Sequence, residues 1–221
     1  GILDFGTATG QSFSSITGQS AGTIRLAGDN FPSGDASGFA NAATGGTVEY
    51  YGMGYSLTLP RTFRNVKVNL ANASQRIFLL TDYTLNGNLT IERGELQLGD
   101  GASTAARNLT VFENVEVQAN GKILTGTGNA RHQFNLYGDF TNQGEVQFTN
   151  RVAVSYATEA NNGMVDVNFR SATRNQNLML EGPSRFYRIA IEKGTTSTYE
   201  LYMEASNAAF FSLFGYAAQG H

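Results

Sequence analysis

Apolar and polar residues alternate along this chain in short bursts closed by Gly or Asn, and a period of two marks β-strands rather than helices. Leu89 and Ile91 alternate with Thr90 and Glu92; after Gly94, Leu96 and Leu98 alternate with Glu95 and Gln97. The scheme recurs at Leu109 and Val111, at Val115 and Val117 around Glu116, and at Ile123 after the pair Asn120-Gly121. It continues at Phe134 and Leu136, Val146 and Phe148, Val165, Val167 and Phe169, Ile189 and Ile191, and Leu201 and Met203. No helix longer than a turn or two is predicted; residues 35–43 read as a loop or short cap.

An Asn opens several of these bursts: Asn65, Asn88, Asn108, Asn135 and Asn177. The first four are spaced by intervals in the twenties, and self-similarity at such a period marks a solenoid in which each turn of chain stacks on the last. The predicted fold class is therefore all-β, a right-handed parallel β-helix of roughly ten coils, with about 22 residues a coil and a rod of about 50 Å. Asn at equivalent positions is expected to stack as a ladder, and Asn or Gly to supply the left-handed backbone of a corner. The alternative is an antiparallel β-sandwich, because Asn86-Gly87, Asn120-Gly121 and Asn162-Gly163 also suit two-residue hairpins. The short strands and the repeat spacing favour the solenoid. The chain reads as one segment, with a looped first repeat type over 1–60, regular coils over 61–150 and a second repeat type over 151–221.

Composition narrows the function classes. Of 221 residues only 15% are charged, against roughly 25% in ordinary soluble domains, while 26 are Gly and 11% aromatic. A net charge of −3 offers no basic stripe for phosphates, so nucleic acid is not an expected partner. There is no cysteine to form disulfides or ligate metal. No apolar run approaches the ~18 residues of a membrane span. Residue 1 opens in mid-pattern without a basic region and apolar signal segment, so the chain reads as a piece of a longer protein.

Longer stretches carry a family likeness. Gly22-Thr-Ile-Arg-Leu-Ala27, Phe31-Pro32, Gly45-Gly-Thr-Val-Glu-Tyr-Tyr-Gly52, Leu59-Pro60 and Phe63-Arg-Asn-Val-Lys-Val68 resemble repeats in large secreted surface proteins of Bacteroidetes. The segment from Tyr83 to Gly99 is similar to the coil that follows in those proteins, and Val165–Phe169, Phe186–Gly194 and Leu201–Ser206 are similar to their alternate repeat. The resemblance implies a parallel β-helix exported through the type IX route to the surface of a Gram-negative bacterium. There it would act as an adhesin or a gliding filament. Implied partners are other segments of the same large protein, surface glycans, and secretion or motility proteins.

Chemistry is sparse. Parallel β-helices also host polysaccharide lyases and glycosidases, which need clustered acids for Ca²⁺ or paired carboxylates. Here the acids are scattered through outward positions, and Glu92, Glu116 and Glu145 share a face only if the register stacks them, where like charges would repel without a cation. The expectation is no enzyme, no catalytic or metal residue and no cofactor, with Ca²⁺ as the sole candidate ion. Of the two histidines, His132 is expected in an exposed turn and His221 ends the chain. Tyr50, Tyr51, Tyr55, Tyr199 and Tyr202 are candidate ligand-facing aromatics, against the competing reading that they pack in the core. Phe210, Phe211 and Phe214 are expected to plug an end of the solenoid. The expected role is a structural or adhesive surface rod, with carbohydrate binding and secretion cargo as alternatives; a carbohydrate site requires Tyr, Asp and Arg to converge in one cleft.

Overall fold

The computed structural model describes residues 1–17, 21–151, 163–195 and 198–215. Among these the chain is all-β, with helix limited to single turns at Ser37–Ala40 and Ala208–Phe210. Each of the strand pairings is parallel, so the antiparallel sandwich is not the architecture.

A long sheet runs in chain order through nine strands: Ile2–Gly6, Thr23–Leu26, Thr47–Gly52, Asn65–Leu70, Leu89–Leu98, Val115–Thr125, Phe140–Asn142, Gln176–Leu180 and Leu201–Ala205. A second sheet of six strands follows the same order: Arg61–Phe63, Tyr83–Leu85, Asn108–Val111, Arg131–Leu136, Met164–Phe169 and Arg188–Ile191. Val66 pairs with Leu89, Leu89 with Val115 and Val115 with Phe140, so the chain returns to one position after 23, 26 and 25 residues. Among the described residues nine layers make up the long sheet's main path, a stack on the order of 40 Å at the usual inter-strand spacing.

Parallel, in-register pairing turns each alternating burst into part of a column. Ile24, Val48, Val66, Leu89, Val115, Phe140 and Leu178 form one inward column of the long sheet, and all are buried. Phe63, Leu85, Val111, Leu136 and Phe169 form another in the six-stranded sheet. These columns merge into one continuous apolar core, in which each fully covered aliphatic or aromatic side chain contributes about 1.5–3 kcal/mol. Burial fails only where the stack ends: Leu3 and Met203, the outermost members of the first column, are 50% and 52% exposed. Near the C-terminal end the phenylalanines run from ring to ring, Phe134 to Phe148 to Phe186 to Phe211, at centroid separations of 5.6–6.1 Å. Phe211 closes that run, Phe210 packs against the core, and Phe214 is half-buried.

Outward positions use charge in the same columnar way. Asp4, Arg25 and Glu49 are register neighbours joined at 3.2 and 3.5 Å. Arg76, Glu95, Lys122 and Glu145 alternate in sign across four strands, with Lys122 2.8 Å from Glu145. Alternation relieves the repulsion that a column of like charges would suffer. The register does not stack the three acids into a column: Glu92 is ion-paired with Lys67, Glu145 with Lys122, and Glu116 lies in register with Thr90 and Thr141.

Two local expectations are corrected. The pair Asn120-Gly121 is no turn; it lies inside the Val115–Thr125 strand, where the register slips by one residue. Gly121 is required there by proximity, since a Cβ would fall 2.2 Å from the Ile91 carbonyl oxygen of the layer below. Gly87 serves similarly, whereas Gly163, at φ +62°, does take the left-handed backbone. His132 is not in an exposed turn. It occupies an inward position of the Arg131–Leu136 strand, 4% exposed, and its Nδ1 accepts the Arg107 amide at 3.0 Å.

Candidate ligand-binding groove

The Asn ladder forms, with a different membership and different bonding from those expected. At the start of the long sheet's strands, Asn65 Oδ1 accepts the backbone N–H of Asn88 at 2.9 Å, Asn88 Oδ1 that of Asn114 at 3.0 Å, and Asn114 Oδ1 that of Asp139 at 3.0 Å. Asp139 Oδ1 then accepts the N–H of Asn177 at 2.7 Å. Each side chain thus satisfies an amide of the next layer that the strand itself leaves free. Asn108 belongs instead to the six-stranded sheet, where its N–H and side-chain amide donate to Asp82. Asn135 lies within the Arg131–Leu136 strand, bonded to Thr110 and Asn168.

Beside the ladder stands a second column. Asn86, Phe112, Tyr137, Arg170 and Glu192 each follow the last residue of a strand in the six-stranded sheet. Each later member donates its backbone N–H to the strand end one layer back: Phe112 to Leu85, Tyr137 to Val111, Arg170 to Leu136 and Glu192 to Phe169, at 2.8–3.0 Å. Phe112 and Tyr137 therefore arrive one above the other and stack, centroids 4.7 Å apart and planes 22° from parallel. Between this column and the ladder the chain crosses with a single residue, Gly87, Glu113 or Gly138. Gly138 fits because a Cβ would meet the Glu113 carbonyl at 2.1 Å.

After Phe169 the crossing lengthens to Ser171–Asn175, and this loop rises as a wall. Gln176, fully buried, holds it: its Oε1 accepts from the Ser171 amide at 3.0 Å and from Lys193 Nζ at 2.9 Å, and its Nε2 donates to the carbonyls of Leu136 and Gly138 at 3.2 and 2.6 Å. Lys193 Nζ donates also to the Arg174 carbonyl at 3.0 Å. Burial, then the neighbouring Arg174 guanidinium, lowers the pKa of Lys193 from its ordinary value. Arg174 reaches back over the ladder to Asp139 at 3.3 Å and Asn114 Oδ1 at 3.2 Å, and Arg170 Nε lies 2.8 Å from Glu192.

Together these parts enclose a groove of about 580 Å³, lined chiefly by Phe112, Tyr137, Asn86, Glu113, Arg170 and Arg174. Phe112 is 43% exposed in it. The groove combines a rigidly held aromatic pair with planar polar groups, and its wall is fixed by buried hydrogen bonds.

None of the tyrosines singled out by sequence enters this groove. Tyr50 is buried, with its hydroxyl 3.0 Å from that of Tyr83, and burial drives its pKa well up. Tyr55 is largely covered and donates to the Leu26 carbonyl at 3.1 Å. Tyr51 lies at the surface under the Arg25 guanidinium, which is 4.2 Å from the ring centroid, and donates to Asp4 at 2.8 Å; that bond raises its pKa. Tyr199 is half-buried and Tyr202 exposed at the far end of the stack. Phe112 and Tyr137 carried a usable signal, each being an aromatic placed directly after the last inward residue of a strand, one layer apart. Among the described residues no group of three or more His, Cys, Asp or Glu is placed to hold a metal ion. No helix there is long and apolar enough to cross a membrane. His221 lies outside the described residues.

Comparison with family models, with curated proteins and with solved structures finds no match to this chain.

Proposed function

We propose that this chain is a stretch of closed, right-handed parallel β-helix that serves as a non-enzymatic structural and adhesive rod in a bacterial surface protein. The observation that carries the reading is the long sheet's order, nine parallel strands in chain sequence with inward columns that never change face. Parallel neighbours joined by crossovers are right-handed in nearly all known cases, and alternate visits to two sheets bring the chain round one core. Such a rod keeps its outer surface in a fixed repeat, which suits display and cohesion along its length. The extracellular location rests on the likeness of Gly22–Val68 and Tyr83–Gly99 to surface repeats.

Protease shaving of intact cells that express the parent protein, followed by mass spectrometry, tests the location. Peptides from this segment should be released while the outer membrane stays intact. Recovery of the protein only after lysis would refute it. Solution scattering from the purified segment should give an elongated particle with one long axis; a sphere-like profile would refute the rod.

A further inference from the structure

We propose that the groove along Phe112 and Tyr137 binds a neutral, linear oligosaccharide, with one sugar ring on the face of Phe112 that Tyr137 leaves uncovered. The groove's volume is in the range of small-molecule sites. From Asn86 to Arg170 it crosses four layers, on the order of 14 Å, enough for a few pyranose units.

The lining chemistry selects sugar over other ligands. A pyranose presents C–H groups on its faces and hydroxyls around its rim. Phe112 stacks one face on Tyr137 and is 43% exposed, so its other face is the aromatic surface offered to a sugar ring, and C–H groups pack well against such a π-face. Glu113, Arg170 and Arg174 supply planar acceptors and donors at the rim, suited to paired bonds with vicinal hydroxyls. Charge argues for a neutral ligand: Arg170 is balanced by Glu192 and Arg174 by Asp139, while Glu113 adds a negative charge at the edge. A polyanion would have to displace those acids. Gln176 and Lys193 fix the wall beforehand, so little ordering cost falls on binding. Occupancy of the groove is independent of where the rod resides, so a failure here leaves the surface role standing, and the reverse holds too.

Cellotetraose, xylotetraose, laminaritetraose and chitotetraose are titrated by calorimetry against the purified chain, with polygalacturonate and an aromatic-rich peptide library as competitors. At least one neutral tetrasaccharide should bind with a dissociation constant below about 1 mM. Phe112→Ala and Tyr137→Ala should each weaken it about tenfold. Phe112→Trp should retain binding, and Tyr202→Ala at the end of the stack should leave it unchanged. Thermal melts confirm that each variant is folded, and Phe112→Trp keeps the test valid should an alanine variant fold poorly. The proposal is overturned if no neutral sugar binds, if only polygalacturonate or peptides bind, if folded Phe112→Ala or Tyr137→Ala binds as the parent does, or if folded Phe112→Trp loses binding.

Discussion

Acidification should destabilise this protein through His132, well before its carboxylates are titrated. The ring is buried and packed so closely on Gly99 that a Cβ there would approach its Cε1 to 2.8 Å. Burial first, then the nearby Arg107 guanidinium, lowers its pKa to about 4, against the weaker opposing pull of Asp100. In the unfolded chain a histidine takes its proton near pH 6.5. The unfolded state therefore binds a proton that the folded state refuses, and stability falls as pH drops through the window from about 6.5 to 4. A displacement of about 2.5 units corresponds to about 3 kcal/mol once the pH is below both values, and about 2 kcal/mol of it is already lost at pH 5. Asp4, Asp35 and Asp100, all held below the usual carboxylate value chiefly by backbone N–H donors, destabilise the fold only at lower pH, from about pH 5 downward. Urea unfolding at steps between pH 7.5 and 4.5, for the parent and for His132→Gln, separates the two effects. The parent should lose about 2 kcal/mol more than the variant between pH 7 and pH 5. Parallel curves for the two proteins, or a His132 ring signal that titrates near pH 6.5 by NMR, would refute the reasoning.

Three further outcomes follow from the layer geometry, each measured by urea unfolding at pH 7.5. Leu178→Ala, fully buried one layer short of the column's end, should cost about 3 kcal/mol, while Met203→Ala, its exposed register neighbour at the end, should cost under about 1 kcal/mol; equal losses would contradict the column. Gly121→Ala should cost more than about 2 kcal/mol because its Cβ would clash with the Ile91 carbonyl, whereas Gly10→Ala, with open space around it and only an unfavourable φ of +81°, should cost about 1 kcal/mol. Asn114→Ala should cost about 1–2 kcal/mol by orphaning the Asp139 amide, and Asn114→Asp should recover most of it, since a carboxylate does the same task at position 139 in the next layer.

Strand content and parallel order were legible because the core is a set of columns. Every layer must place an apolar side chain at the same inward position, so the alternation Val66-Lys67-Val68 is rewritten as Leu89-Thr90-Ile91 and again as Val115-Glu116-Val117. The pair Asn120-Gly121 was misjudged because a dipeptide that commonly turns a hairpin also lets two backbones approach within a continuous strand. His132 was misjudged for a related reason. Its polar neighbours suggested a turn, yet counting back by twos from Leu136 and Phe134 places it on the inward face, and the face decides burial.

The ladder and the groove show what such a sequence conceals. Asn65, Asn88 and Asn177 were found because each opens an aliphatic burst at the same corner, but Asn-Leu-Thr-Val reads alike on either sheet, so Asn108 was added to a ladder it does not join. Asn114 and Asp139 were missed because the position needs only an oxygen aimed at the next amide, a requirement that two residue types meet. The same logic explains the tyrosines. Closeness in sequence suggested Tyr50, Tyr51 and Tyr55 as a cluster, whereas in stacked parallel strands the neighbours of a surface residue lie about 25 positions away. Phe112 meets Tyr137 across one such step, and Arg170 follows across a longer one that contains the segment 152–162. Surface sites on a fold of this kind are written with the stride of the layers, so aromatics and arginines should be searched for at that interval, immediately after the last inward residue of each strand.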